Sequence, residues 1–145
     1  MADDRFNLQR FVDAQDRGGA YQRALAEIHQ GRKRGHWIWF VFPQIDGLGS
    51  SEMARFYAIS SIEEAIAYLA HPVLGQRLFE AAEALLQLPV RDPASILGEL
   101  DALKLRSSMT LFARADPAAD TFGRVLDELY AGVRDAATER LLLAR

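Results

Sequence analysis

A chain of 145 residues is the length of one ordinary domain, and a domain of this size buries roughly 70% of the surface that its unfolded chain exposes. Half of the residues are hydrophobic and 26% are charged, as in folded globular proteins and unlike disordered chains. The net charge of −3 argues against a general nucleic-acid or anionic-membrane binder, and the absence of cysteine excludes disulfides, thiolate catalysis and thiolate metal sites.

Neither a secretion signal nor a membrane span is evident in the sequence. The N-terminus is acidic and polar, whereas a signal peptide begins with basic and then apolar residues. The longest strongly apolar run covers only residues 37–42, which is far too short to cross a bilayer. We therefore expect a cytoplasmic protein with neither a membrane nor a nucleic-acid partner.

Apolar residues recur at helical spacing along most of the chain. They predict, in chain order, helices over residues 6–12, 21–28, 51–57, 61–69, 73–88, 100–112, 117–130 and 135–143. Ser61 and Glu64 have the spacing of a capping box, and Asp135 is placed to cap the last helix. With no clear strand signal, we expect an all-α fold, an irregular single-domain bundle of about seven short helices over residues 1–145.

Residues 36–44 read HWIWFVFPQ and hold both tryptophans of the chain. So much aromatic surface in one segment builds a core, lines a ligand pocket or docks a partner. The run is compatible with a buried strand or a short buried helix, and the lack of a partner strand favours the helix. In a helix, Trp37 and Trp39 point to different sides, so we expect one in the core and the other as a stacking wall.

A glycine-rich loop follows, in which Gly47, Gly49, Ser50 and Ser51 precede a predicted helix. Glycine permits close backbone approach, and free N–H groups at a helix N-terminus suit an anion such as phosphate. The loop lacks the Gly-Lys-Ser/Thr sequence of a Walker loop. Glu52 at the helix start would repel an anion, which favours an ordinary tight loop in which Ser50 or Ser51 caps the helix.

A second polar group lies about 60 residues further along the chain, on a predicted helix. Asp101, Lys104, Ser107 and Ser108 are spaced so that a carboxylate, an ammonium and hydroxyls share one stripe. Such a stripe suits a phosphate or a sugar, and lysine is rare here, at two of the 17 cations. The alternative is a surface Asp–Lys pair with hydroxyls bonded back to helix carbonyls.

Other polar residues around the aromatic run have open roles. His36 and Gln44 bracket the run and could anchor a ligand, or could serve as a boundary histidine and a loop-fixing amide. The basic residues Arg32, Lys33 and Arg34 are interpreted as a solvated cation cluster at a helix end. The three histidines show no metal-ligand spacing, so we expect neither a metal site nor a cofactor.

These segments resemble a family of small, mainly helical bacterial proteins of unknown function, which automated annotation sometimes labels calpastatin-like. The resemblance rests on residues 36–44, 47–49, 57–59, 68–75 and 101–112. It implies the fold and the class but no catalytic residues. Calpastatins are flexible, repeat-built and poor in hydrophobic residues, whereas this chain is half hydrophobic and free of repeats, so we expect it to fold alone.

The main functional hypothesis is a pocket for a small anionic ligand, nucleotide-like or sugar-phosphate-like. The aromatic run would form one wall and the polar stripe the other. The candidate ligand-binding residues are His36, Trp37, Trp39, Gln44, Gly47, Gly49, Asp101, Lys104, Ser107 and Ser108. The alternative is a protein–protein interaction module without ligand or catalysis, in which exposed aromatic residues dock a partner.

Overall fold

The computed structural model describes residues 4–145, in which ten α-helices are joined by short turns. The helices are α1 Gln9–Asp16, α2 Ala20–His29, α3 Ile38–Val41, α4 Glu52–Phe56, α5 Ile62–Ala70, α6 Leu74–Leu86, α7 Pro93–Leu97, α8 Glu99–Ala115, α9 Thr121–Tyr130 and α10 Ala136–Leu143. Seven of them have eight residues or more, and α3, α4 and α7 have only four or five. The all-α prediction is confirmed, although ten helices within residues 4–145 replace the expected number of about seven, because α3, α4 and α7 are single turns. Beside the helices, the described part of the chain has one isolated parallel β-bridge, Ile45 to Ile59.

Side chains cap the beginnings of several helices, among them α4, α5, α7 and α10. The Asp135 side chain accepts from Thr138 N at 3.0 Å and begins α10 as predicted. Helix α1 begins at Gln9 and not at residue 6, because Asn7 has a φ of +54°, which interrupts right-handed helical geometry. Asp4 nevertheless caps this helix, accepting from Leu8 N at 2.6 Å and Gln9 N at 2.9 Å.

The capping box of α5 is only half formed. Ser61 Oγ accepts from Glu64 N at 3.2 Å, as predicted. The Glu64 carboxylate does not return to the backbone of Ser61, because it accepts instead from Ser60 N at 2.8 Å and pairs with Arg10 at 2.9 Å. The carboxylate thereby joins α5 to α1.

Helix α8 is the longest, at 17 residues, and lies at the centre of the fold. It packs against α5, α7, α9 and α10. Every residue from 107 to 112 is buried, so the middle of α8 is surrounded on all sides, whereas Leu100 and Leu103 near its beginning are exposed. The exposed part of α8 near its beginning is therefore available to a surface site, whereas the enclosed residues 108–112 are not.

Residues 37–42 of the aromatic run form core structure around the four-residue helix α3. Trp37, Ile38, Phe40, Val41 and Phe42 are all buried, and Trp39 alone in this run is half-buried. Within residues 4–145, no helix combines the length and the apolar character needed to cross a bilayer.

Candidate functional site

A cleft of about 550 Å³ lies between the first half of α8 and the chain segment that contains α4. The α8 wall consists of Leu100, Leu103, Lys104 and Ser107. The opposite wall consists of Leu48, Gly49, Ser50, Ser51 and Ala54. Trp39, Gln44 and Asp135 complete the lining. The volume is within the range of small-molecule sites, about 300–1,000 Å³.

The α4 wall belongs to a segment, residues 46–56, that leaves the core and returns to it. Two backbone hydrogen bonds of 2.8 Å close its base, from Asp46 N to Ile59 O and from Ile59 N to Gln44 O. No residue between 46 and 56 is buried. The segment is anchored by this bridge, by Leu48, which packs against the core, and by Arg10, whose guanidinium donates to the Phe56 carbonyl.

Lys104 presents the one ammonium group among the lining residues. Its Nζ atom lies 5.2 Å from the centroid of the Trp39 ring and 3.1 Å from Asp101 Oδ1. A cation this close to an indole is attracted by the ring's electron density. The half-buried Trp39 thus positions the Lys104 ammonium at the cleft, and this ammonium covers one face of the indole ring.

Asp101 pairs with a second lysine as well. Lys33 Nζ lies 2.7 Å from Asp101 Oδ2, donates to the carbonyl oxygen of Gly35, and lies 5.0 Å from the Trp37 ring centroid. Only 7% of the Lys33 side chain is exposed, against 28% for Lys104. Both lysines of the chain therefore meet one carboxylate, and each approaches one of the two tryptophans.

The interpretation of Lys33 as part of a solvated cation cluster is wrong, although Arg32 and Arg34 are exposed as expected. The backbone N–H of Lys33 donates to the Ile96 carbonyl at 2.7 Å, and this bond ties the segment to α7, next to the start of α8. Sequence spacing within residues 32–34 contains no information about that contact. The rarity of lysine was the only signal that pointed to Lys33.

The three charges of this cluster leave a net positive charge. Burial disfavours the ionised form of Asp101, but hydrogen bonds from Lys33 and Lys104 outweigh burial and lower the pKa of the Asp101 carboxyl. The carboxylate is therefore ionised at neutral pH. Two ammonium groups and one carboxylate sum to +1 beside the cleft.

The structure brings together five of the predicted site residues and separates the other five. Trp39, Gln44, Gly49, Lys104 and Ser107 line the cleft. The remaining five candidates, which do not line it, are His36, Trp37, Gly47, Asp101 and Ser108. Two of these have identifiable contacts outside the lining: Asp101 forms an ion pair with Lys104, and Gly47 faces the side chain of Leu141.

His36, Trp37 and Ser108 have other surroundings. His36 and Trp37 line a separate small cavity of about 90 Å³, because the turn at residues 34–36 directs them towards α2. Ser108 is fully buried, since the middle of α8 is enclosed by other helices, and its Oγ has no hydrogen-bond partner within the described residues. The predicted stripe thus ends at Ser107.

Comparison with known proteins places the chain in a family. The profile of a family described as protein of unknown function, DUF1810, matches residues 5–142. The chain belongs to the DUF1810 family. Its structure is similar to the crystal structure of the conserved hypothetical protein Rv1873 from Mycobacterium tuberculosis, with a TM-score of 0.93 and 51% identity over 97% of this chain and 99% of that one. No curated protein matches the chain.

DUF1810 membership confirms the resemblance to a helical family of unknown function, and it assigns no role to any residue.

The polar side chains in the cleft of this DUF1810 chain differ in whether they already form hydrogen bonds within the protein. Ser107 Oγ donates to Leu103 O at 3.1 Å, which is the structural alternative considered for this hydroxyl. Ser51 Oγ accepts from Ala54 N and caps α4. The Gln44 side-chain amide forms no hydrogen bond with any described residue, so it has donors and an acceptor to offer.

Several cleft residues of the DUF1810 chain escaped sequence reasoning. Leu100 and Leu103 are apolar, yet 74% and 54% exposed, and they flank Lys104 on α8. Asp135 was predicted only as a helix cap, but it also borders the cleft. Exposed leucines resemble core residues in a sequence, because helical periodicity does not show which neighbours cover them. Within residues 4–145, no cluster of histidine, aspartate and glutamate is arranged to hold a metal ion.

Glu27 fixes the turn that carries Trp37. Its Oε1 accepts from Arg34 N at 2.7 Å, from Gly35 N at 2.9 Å and from Trp37 Nε1 at 2.9 Å. Burial raises the pKa of the Glu27 carboxyl, but the hydrogen bonds from these N–H groups outweigh burial, and the pKa is lowered overall. Trp37 is therefore the core tryptophan of the pair.

The lowered pKa values of the Glu27 and Asp101 carboxyls predict that the protein loses stability at acidic pH. Each carboxylate stabilises the fold above its ordinary pKa, 4.5 and 3.8 respectively, and this contribution is lost as the pH falls through the lower folded value. We expect the free energy of unfolding of the Glu27→Gln/Asp101→Asn variant to fall less steeply with acidification than that of the wild type. Urea unfolding between about pH 3 and pH 6 measures it. Parallel curves for the two proteins would contradict this expectation.

Proposed function

We propose that this DUF1810 protein binds a small organic anion, nucleotide-like or sugar-phosphate-like, in the cleft between α8 and residues 46–56. The observation that carries the proposal is the Lys104 ammonium, which is held against the Trp39 ring at the cleft surface. An ammonium fixed in place loses little conformational entropy on binding an anion. The unbonded Gln44 amide supplies neutral donors on the same cleft.

The charge balance of the cleft supports an anion although Asp135 borders it. Asp135 Oδ2 accepts from Thr138 N at 3.0 Å and Thr138 Oγ1 at 2.5 Å, and its Oδ1 lies 3.9 Å from Arg106. Its negative charge is thus used by the α10 cap and by an arginine. Within residues 4–145, Lys104 pairs with Asp101 alone and shares this carboxylate with Lys33, so part of the Lys104 charge is available to a ligand.

The apolar lining favours a ligand that carries a planar or apolar body beside its anionic group. Leu48, Ala54, Leu100 and Leu103 provide apolar surface on both walls. A nucleobase would bury its faces there, whereas a sugar phosphate would leave more of this surface unmatched. We therefore propose the nucleotide-like ligand ahead of the sugar phosphate.

Removal of Lys104 tests the proposal. We expect the wild-type protein to bind at least one of AMP, ADP, glucose 6-phosphate and inorganic phosphate in calorimetry. Lys104→Met is expected to weaken that binding roughly tenfold or more, because it removes a charge-assisted hydrogen bond to the anion. Arg114→Met is the matched control, because Arg114 lies on the same helix but outside the cleft lining. Binding by none of the four, or equal binding by Lys104→Met, would refute the anion site.

A second candidate function is a protein–protein interaction at the same face. The exposed Leu100 and Leu103 favour it, because they line one cleft together with Leu48 and Ala54 and so add to a shared apolar patch. Such a partner would be released by Leu100→Ser/Leu103→Ser and not by Lys104→Met. Measuring complex formation with both variants by size-exclusion chromatography separates the two functions.

A further inference from the structure

We infer that Lys33, which does not line the cleft, sets the charge of the anion site by holding Asp101. The inference rests on the proposed function and adds a positioning residue to it. In this arrangement Lys33 neutralises much of the negative charge of the Asp101 carboxylate, so the ammonium of Lys104 remains available to a bound anion.

The distances between the charged atoms and the exposure of the side chains indicate that Lys33, more than Lys104, neutralises Asp101. Asp101 Oδ2 lies 2.7 Å from Lys33 Nζ, whereas Asp101 Oδ1 lies 3.1 Å from Lys104 Nζ. The nearer pair is also the more buried, so solvent screens it less. Asp101 is therefore bound more strongly by Lys33 than by Lys104.

Lys33 is held firmly in this position. Its ammonium also donates to the Gly35 carbonyl and approaches the Trp37 ring, and its backbone N–H donates to Ile96 O. Glu27 is the other carboxylate that feels its charge, but Glu27 accepts three N–H groups of the 34–37 turn, and no ion pair found among residues 4–145 joins it to a lysine. The cluster that borders the cleft thus consists of Lys33, Asp101 and Lys104.

Counting charges gives a pattern that a purely structural role would not produce. The wild-type cluster carries +1, Lys33→Met carries 0, and the double variant Lys33→Met/Asp101→Asn carries +1 again. Asp101→Asn alone carries +2. Methionine keeps most of the length of the lysine side chain, so packing against Trp37 is largely retained.

Affinity for AMP and for inorganic phosphate, measured by calorimetry on the full chain, tests this pattern. We expect Lys33→Met to bind roughly fivefold more weakly, the effect of one unit charge acting over about 8 Å in a partly solvated site. The double variant is expected to recover wild-type affinity within about twofold, and Asp101→Asn to bind more tightly than wild type. Thermal unfolding checks each variant, and Lys33→Gln replaces Lys33→Met if the latter does not fold.

The outcomes separate this inference from the proposed function. If Lys104→Met loses binding but Lys33→Met does not, the anion site stands and the role of Lys33 is refuted. If Lys33→Met loses binding and the double variant does not recover it, Lys33 is merely structural and the inference also fails. If Lys104→Met binds as well as wild type, the proposed site itself is wrong.

A second readout keeps the inference testable without a bound ligand. Labelling of Lys104 by anionic trinitrobenzenesulfonate, relative to labelling by a neutral amine reagent, reports the local potential, and Lys104 is the only lysine left in Lys33→Met. We expect this ratio to fall in Lys33→Met and to return in the double variant. An unchanged ratio across the three proteins would overturn the inference.

Discussion

Gly75→Ala is expected to destabilise the protein by about 3 kcal/mol or more, or to prevent folding, because a side chain at this position has no space. A Cβ atom built on Gly75 would lie 2.1 Å from the Leu69 carbonyl oxygen and 2.9 Å from the carbonyl carbon. These are backbone atoms in the last turn of α5, so rotation of a side chain is unable to relieve the clash.

The turn between α5 and α6 leaves no freedom to move Gly75 away. His71 Nδ1 accepts from Val73 N at 3.1 Å and from Leu74 N at 3.2 Å, and Gly75 N donates to His71 O at 3.1 Å. The imidazole thus caps the start of α6 and sets its distance from α5. We therefore expect a shift that makes space for a methyl group to strain these bonds.

Gly123→Ala is the matched control, since Gly123 is also in a helix, but apart from its chain neighbours and its own helix backbone nothing lies within 4 Å of the place that the alanine methyl group would occupy. We expect it to stabilise the fold by about 0.5–1 kcal/mol, because alanine is the better helix former. Urea unfolding of both variants measures the two effects. A loss below about 1 kcal/mol for Gly75→Ala would show that the α5–α6 turn adapts.

Arg10→Met is expected to cost about 3–5 kcal/mol, because it leaves the Glu64 carboxylate buried without its partner. The exposed fractions of the two side chains are 10% and 3%, and the pair is separated by 2.9 Å. The guanidinium also donates to four carbonyl oxygens, those of Phe6, Asn7, Phe56 and Ala58. One side chain therefore ties α1 to the end of α4 and the start of α5.

A double variant separates the ion pair from the carbonyl bonds. Arg10→Met/Glu64→Met removes both charges and is expected to be less destabilised than the sum of the two single variants. Arg114→Met is the exposed control, whose partner Glu139 lies at 3.2 Å and whose loss should cost about 1 kcal/mol or less. Urea unfolding of the set gives the coupling energy, and equal losses for Arg10→Met and Arg114→Met would contradict the buried-pair argument.

The predicted helices and the candidate site show which features of the structure local sequence patterns predict. Helices α2, α4, α5, α6, α8 and α10 lie close to their predicted ranges, since periodicity and caps act within a few residues. The predicted start of α9 at residue 117 is wrong, because the helix begins at Thr121. The resemblance to a helical family of unknown function is confirmed by the DUF1810 match. Lys104 and Trp39 were singled out by their chemistry and do meet in one cleft, while the binding of an anion there stays a proposal.

By itself, the sequence determined the all-helical class and the caps at Ser61 and Asp135, because hydrophobic spacing and short-range hydrogen bonds depend on residues that are close together in the chain. Only the tertiary structure decided that Lys33 reaches Asp101, that Ser108 lies in the core and that His36 faces another cavity. Those outcomes depend on which helices cover which faces. That packing joins residues dozens of positions apart, and a one-dimensional pattern contains no distance between them.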